Sequence, residues 1–116
     1  MFDVVTTTTI TAEQVADLMT GAMEGGSGYW IESIDPRYAK HEDYSEAASY
    51  GRLMKPRIFH TDDIDYVFGF TEIEKGLQCM SRNYPQDFAN IIDDNADAET
   101  SDVFLQCALF GRIVYG

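Results

Sequence analysis

The period of the apolar residues changes along this chain, and that change restricts the folds open to it. The first apolar set recurs at spacings of three and four, as on one face of a helix: Val15, Leu18, Met19, Ala22 and Met23. Between residues 64 and 70, apolar side chains instead alternate with others, which is the period of a half-buried strand. Both periods in separate segments are typical of the α+β class.

Two capping boxes and one glycine pair indicate where helices begin and end. Thr11 with Gln14, and Thr71 with Glu74, each place a hydroxyl three residues before a side chain that can bond back to the backbone. We therefore predict helices that begin at both threonines. The glycines at 25–26 are expected to end the first helix, one of them with a positive φ angle, because glycine accepts that conformation.

Two more helices are predicted in the second half of the chain. Pro85 suits the first turn of a short helix that runs through Ile92. The last helix is expected over Asp97 to Phe110, since acids crowd its N-terminus, where the helix dipole favours them. Gly111 follows as its cap.

Extended segments are expected at residues 4–9, 29–34, 52–60, 64–70 and 113–115. The pair Asp62-Asp63 suggests a hairpin turn, with a helical turn as the alternative. Residues 37–51 are polar and irregular and are expected to form a long loop. The sequence thus predicts one α+β domain over residues 1–116, with a small, mostly antiparallel sheet of three or four strands and helices packed on one face.

The charge of the chain limits its partners. It has 8 Lys and Arg against 20 Asp and Glu, a formal net charge of −12. Phosphate backbones and anionic membrane surfaces would repel it, whereas a basic protein surface would attract it. No apolar run approaches the ~20 residues of a membrane span, and the first residues do not resemble a signal peptide. We therefore expect a cytoplasmic protein that binds neither membranes nor nucleic acid directly.

Motifs of catalysis and metal binding are incomplete. Asp93, Asn95 and Asp97 match the first ligand positions of a calcium loop, but Ala98 and Phe104 stand where its glycine and glutamate belong. The cysteines at 79 and 107 and the histidines at 41 and 60 lack zinc spacing. We interpret both cysteines as reduced core thiols, with a single disulfide bridge between them as the alternative. A Cys–His catalytic pair stays open, because such partners would meet only in the fold. No enzyme activity, metal or cofactor is expected.

Acidic residues form two candidate partner-binding clusters. The first comprises Asp62, Asp63, Asp65, Glu72 and Glu74. The second comprises Asp93, Asp94, Asp97, Glu99 and Asp102. No Lys or Arg lies between residues 83 and 111, so the second cluster has no basic residue close in sequence. Such acids either keep a protein soluble or imitate part of a phosphate track for a basic groove.

An aromatic pair offers a second candidate contact surface. Tyr29 and Trp30 are adjacent, and we expect at least one of them to lie in the core. The other candidate is the tyrosine-bearing loop from Tyr38 to Tyr50.

Two segments resemble a group of small proteins from bacteriophages and prophages. They are Glu24-Gly25-Gly26-Ser27-Gly28-Tyr29-Trp30 and the stretch from Asp97 through Gly111 to Val114-Tyr115-Gly116. The resemblance implies a viral origin and a bacterial host cytoplasm, and carries no catalytic residues. Because small acidic phage proteins often inhibit host defence, it suggests an inhibitor, of anti-CRISPR type, that binds a host nucleic-acid-handling protein. The alternative is a phage structural or replication accessory protein.

Overall fold

The computed structural model describes residues 1–4, 6–35 and 57–116. Over these ranges, the structure contains helices and one small three-stranded sheet, which confirms the predicted α+β class. The elements are α1 (Ala12–Gly21), a π-helical segment (Ala22–Gly26), β1 (Ser33–Asp35), β2 (Arg57–Thr61), β3 (Ile64–Phe68), α2 (Phe70–Asn83), α3 (Pro85–Ile92) and α4 (Ala98–Phe110). In the described part of the chain, no helix is both long enough and apolar enough to cross a bilayer.

The sheet is antiparallel with the strand order β1-β2-β3. Phe59 of β2 lies opposite Ile34 on one side and Tyr66 on the other, so these three side chains share one face. Phe59 and Phe68 are fully buried on that face, and their rings meet edge to face with centroids 5.7 Å apart. Helices α2 and α4 both contact β3.

The β2–β3 connection is the predicted hairpin. Asp62 and Asp63 have φ angles of 50° and 61°, respectively. Positive φ at both central residues matches the right-handed twist of the flanking strands, and aspartate tolerates it better than most residues do.

Helix α4 lies at the centre of the fold. Every residue from Thr100 to Ala108 is buried. The helix contacts α1, the π-helical segment, α2, α3 and β3. It meets α2 at Gly76, where an added Cβ would lie 2.9 Å from the Cβ of Ala108. The absence of a side chain at Gly76 therefore lets the two backbones approach closely.

The predicted helix ends are largely confirmed. Thr11 and Gln14 form the full capping box of α1. Pro85 occupies the first turn of α3, and Asp97 caps α4 by accepting a hydrogen bond from the Thr100 amide at 2.8 Å. Gly111 ends α4 with a φ of 77°. The second capping box is wrong: α2 begins at Phe70 after Gly69, without a side-chain cap.

Several predicted strands are also wrong. Residues 6–9 form no regular structure, since exposed threonines with no covering element bury nothing there. The strand predicted over 29–34 begins only at Ser33, because Trp30 and Ile31 both donate their amides to the Ser27 carbonyl in a turn. Residues 113–115 are not a strand either, since their amides bond to side chains. The loop predicted at 37–51, with Tyr38, Tyr44 and Tyr50, lies outside the described residues.

Gly25 holds the positive φ angle that was expected of one glycine in the pair, at 150°. An alanine at this position would meet open space but would be forced into a backbone conformation that L-residues rarely adopt. We expect Gly25→Ala to lower the free energy of unfolding by about 1 kcal/mol or more, measured by urea denaturation. Gly28→Ala is the matched control, since Gly28 also faces open space without a positive φ. Equal effects of the two substitutions would contradict the assignment.

Candidate functional site: an acidic surface and a buried carboxylate

Within the described ranges, an exposed acidic surface lies where α3 meets α4. Asp93, Asp94, Asp97 and Glu99 are all exposed there. The connection turns sharply, with Asp94 at a φ of 56°, and Asp97 caps α4. Hydrogen bonds from the backbone and hydroxyl of Thr100 hold the pKa of Asp97 below its ordinary value. This carboxylate is therefore kept ionised.

Asp87 on α3 belongs to the same acidic surface. Its carboxyl is half-buried, and burial is the main reason that its pKa is raised. The negative charges of Glu99 and Asp97 raise that pKa further. The three acids are thus close enough to repel one another.

Helix α1 adds two more carboxylates from far away in the sequence. Glu13, Asp17 and Asp94 line one cavity of about 460 Å³ between α1 and the end of α3. Gln14 links α1 to the end of α3. Its Nε2 donates to the Ile91 carbonyl at 3.0 Å and lies 3.4 Å from Oδ1 of Asp94. The sequence prediction missed Glu13 and Asp17, whose only signal was their place on the polar face of an amphipathic helix.

We call this combined set the junction surface. It comprises Glu13, Asp17, Asp87, Asp93, Asp94, Asp97 and Glu99.

The first predicted cluster is divided in two by the fold. Asp62 and Asp63 form the hairpin turn and Asp65 lies near the start of β3, whereas Glu72 and Glu74 lie near the start of α2. The rest of β3 therefore lies between the two groups. Glu74 also lines a groove that contains basic residues.

Two of the hairpin acids, Asp62 and Asp65, form hydrogen bonds within the molecule. Asp65 Oδ1 lies 2.7 Å from Nδ1 of His60, and Glu32 Oε2 lies 3.5 Å from its Nε2. The hydrogen bond to Asp65 is the main cause of the raised pKa of His60. Asp62 accepts a hydrogen bond from the Tyr115 hydroxyl.

Asp102 must be removed from the second cluster, because it is buried and cannot face a partner. Only 9% of the residue is exposed. Its Oδ1 accepts from the Ser27 hydroxyl at 2.8 Å and from Trp30 Nε1 at 2.7 Å. Its Oδ2 accepts from the Tyr29 hydroxyl at 2.6 Å and from Gln106 Nε2 at 3.1 Å. One carboxylate thus joins α4 to the turn before β1.

The two aromatic neighbours of this carboxylate differ in exposure. Trp30 is 5% exposed, which confirms that at least one of the pair lies in the core, whereas Tyr29 is 59% exposed. Burial and the hydrogen bond to Asp102 together raise the pKa of Tyr29 to about 12. Tyr29 is therefore a neutral donor at physiological pH.

Basic residues line a separate groove, of about 1170 Å³, between the first residues of the chain and α2. Lys75 and Arg82 lie on its α2 side, together with Glu74. Opposite them are the exposed threonines Thr6, Thr7 and Thr8. Neither basic side chain belongs to the acidic cavity between α1 and α3.

Of the predicted redox and metal candidates, the structure brings the two cysteines together. Cys79 and Cys107 are free thiols, and burial, followed by the contact with the Cys79 thiol, raises the pKa of Cys107. His60 is bonded to acids, and His41 lies outside the described residues. Over the parts of the chain that the structure describes, no three His, Cys, Asp or Glu side chains are placed to hold a metal ion.

Comparison with protein-family models, with curated proteins and with solved structures gave no match to this chain.

Proposed function

We propose that the protein binds the basic, nucleic-acid-binding surface of another protein through its junction surface. The observation that supports this proposal is the convergence of acids from α1, α3 and the start of α4. No Lys or Arg interrupts the chain between residues 83 and 111, so the α3 and α4 part of this surface has no basic residue of its own.

The rigidity of the surface strengthens the proposal. Its carboxylates lie on helices and on a connection that Asp97 and Gln14 fix by hydrogen bonds. Asp97 and Asp94, whose carboxylates already have hydrogen-bond partners in the protein, can meet a cationic groove with little loss of side-chain entropy. A groove that accepts one phosphate charge per ~1.7 Å of duplex also attracts such an array, and the attraction accelerates association.

The narrower form of the proposal concerns the partner. The segments that resemble phage proteins, together with the net charge of −12, favour a host defence protein such as a CRISPR effector. Inhibition would follow if the acidic surface occupied the site that the partner uses for nucleic acid. The competing function is that of a phage structural or replication accessory protein, in which the acids only confer solubility.

Two variants with the same change in charge test where binding occurs. Asp93→Asn, Asp94→Asn and Glu99→Gln together neutralise part of the junction surface and keep the Asp97 cap. Asp63→Asn, Glu72→Gln and Glu74→Gln together form the control. Each triple variant has a formal net charge of −9, from −12 plus three neutralised acids. Asn also tolerates the positive φ angles at 63 and 94.

The partner is first captured with the tagged wild-type chain from a bacterial host and identified by mass spectrometry. We expect the junction variant to associate with it about tenfold more slowly, and the control variant to behave like wild type. Wild-type binding should weaken as salt rises, since the Debye length falls to ~8 Å at physiological ionic strength. The partner's nucleic acid should compete with the protein. The proposal would be refuted if binding to the partner did not change with salt concentration or in either triple variant.

A further inference from the structure

The last residues of the chain lie across the protein as a strap, which we define as residues 112–116. Its backbone is held mainly by one side chain. Gln106 Oε1 accepts hydrogen bonds from the Val114 and Tyr115 amides at 2.7 and 2.8 Å, and its Nε2 donates to the Tyr115 carbonyl at 3.1 Å. A single amide group thus both accepts from and donates to the strap backbone, as a neighbouring strand would.

The orientation of the Gln106 side-chain amide is fixed by its contact with the buried Asp102. The side chain is buried, with 1% of the residue exposed, and its Nε2 also donates to Asp102. Since a carboxylate accepts only, the amide nitrogen must face Asp102, and the oxygen must then face the strap. The receptor half of this contact is therefore set by the core and does not depend on the strap.

Beside the Gln106 amide, the rings of Trp30 and Phe110 form a contact surface that we call the aromatic seat. The Tyr115 ring stacks on Trp30 with centroids 5.4 Å apart and planes within 3°, and it meets the edge of Phe110 at 5.8 Å. The Tyr115 hydroxyl donates to Asp62 at the hairpin turn. The seat thus provides a ring surface and, at its far end, an acceptor for a phenol.

Among the described residues, few other groups contact the strap. Ile113 and Val114 are 41% and 48% exposed, and the strap has no regular secondary structure. A further bond within the described part of the chain runs from the Ile113 amide to the Tyr84 hydroxyl at 3.0 Å. Segments with few buried contacts open locally at a small fraction of the global unfolding free energy.

We propose that Gln106, Trp30 and Asp62 form a binding site for an extended peptide segment, and that the strap occupies this site in the resting protein. The ligand is a segment of a partner protein that has a β-branched residue followed by tyrosine, as in Val114-Tyr115. Gln106 forms hydrogen bonds with the backbone of this segment, and the aromatic seat binds the tyrosine ring of the segment. The strap then acts as a competing ligand in cis. This proposal does not depend on the junction surface.

The test uses the full chain with Val114→Pro and Tyr115→Ala. These changes remove one of the two amides from which Gln106 accepts and the ring that stacks on Trp30. The probe is the peptide Arg-Ile-Val-Tyr-Gly, and the readout is the fluorescence of Trp30, which is the only tryptophan in the chain. We expect saturable binding to the variant, at least about tenfold tighter than to wild type, because the closed strap reduces the fraction of competent sites. The peptide Arg-Ile-Val-Ala-Gly should not bind.

Absence of binding to the variant, equal binding to wild type, or equal binding of the two peptides would each overturn the proposal. A wild-type dimer that the double substitution abolishes would also overturn it, in favour of strap exchange between copies. Hydrogen exchange of the wild-type chain gives a measurement independent of the variant. The Val114 and Tyr115 amides should exchange at least about a hundredfold faster than the Phe104 amide. Equal rates would mean that the strap opens only when the whole protein unfolds.

Discussion

Replacing Asp102 with alanine should lower the free energy of unfolding by about 4 kcal/mol. The substitution leaves the hydroxyls of Ser27 and Tyr29, the indole of Trp30 and one amide hydrogen of Gln106 without their common acceptor. An unpaired buried donor costs about 1–3 kcal/mol, and the half-exposed Tyr29 recovers part of that cost from water. Asp102→Asn keeps the shape and one acceptor oxygen, so we expect an intermediate loss.

Urea denaturation followed by Trp30 fluorescence measures this loss, and the midpoint should fall without a large change in slope. Asp93→Ala is the matched control, since Asp93 is an exposed acid that lies just before the same helix. It should leave stability nearly unchanged. If the two alanine variants were equally stable, Asp102 would be a surface acid after all.

Replacing Gly76 with valine should lower the free energy of unfolding by about 3 kcal/mol. An added Cβ would lie 2.9 Å from Cβ and 3.0 Å from Cα of Ala108, so α2 and α4 would have to separate. Helix propensity acts in the opposite direction at this position, because almost any residue is a better helix former than glycine by up to ~1 kcal/mol. Gly76→Ala combines the clash with the full gain in propensity and should lose less.

Gln78→Val serves as the control for Gly76→Val, because Gln78 is exposed on the same helix. Its unfolding midpoint should stay close to that of wild type. A second effect distinguishes the clash from a simple loss of helix: the circular dichroism of the folded Gly76→Val protein should remain helical. If Gly76→Val instead stabilised the protein, the two helices would not be in contact at this residue.

The parts of the fold that the sequence predicted are those determined by local chemistry. Thr11 and Gln14 bond within one helical turn, and Asp62-Asp63 make their own turn. Such features depend on neighbours three or four residues away, so a pattern in the sequence is sufficient to find them. The strand predicted at 4–9 depended on β-propensity alone. That propensity is not sufficient to form a strand where no neighbouring strand pairs with the segment.

The candidate site, in contrast, depends on residues that are far apart in the sequence. Asp102 was grouped with surface acids because acids surround it in the sequence, yet its donors Ser27 and Trp30 lie 75 and 72 residues away. One local signal did exist: Asp102 and Gln106 lie four residues apart, and apolar residues predominate between them and up to Phe110. Polar residues at that spacing in an apolar helix share a face inside the protein. Glu13 and Asp17 gave no such signal, since only the fold brings α1 to the end of α3.

The central position of α4 also determines when this protein can fold. The elements that pack on α4, including α1, α2 and β3, are all synthesised before it. A nascent chain that ends before residue 98 has therefore made its outer layers without the helix that they enclose. Its apolar faces stay exposed until synthesis passes Phe110, so the chain should fold in one late step and depend on chaperones until then.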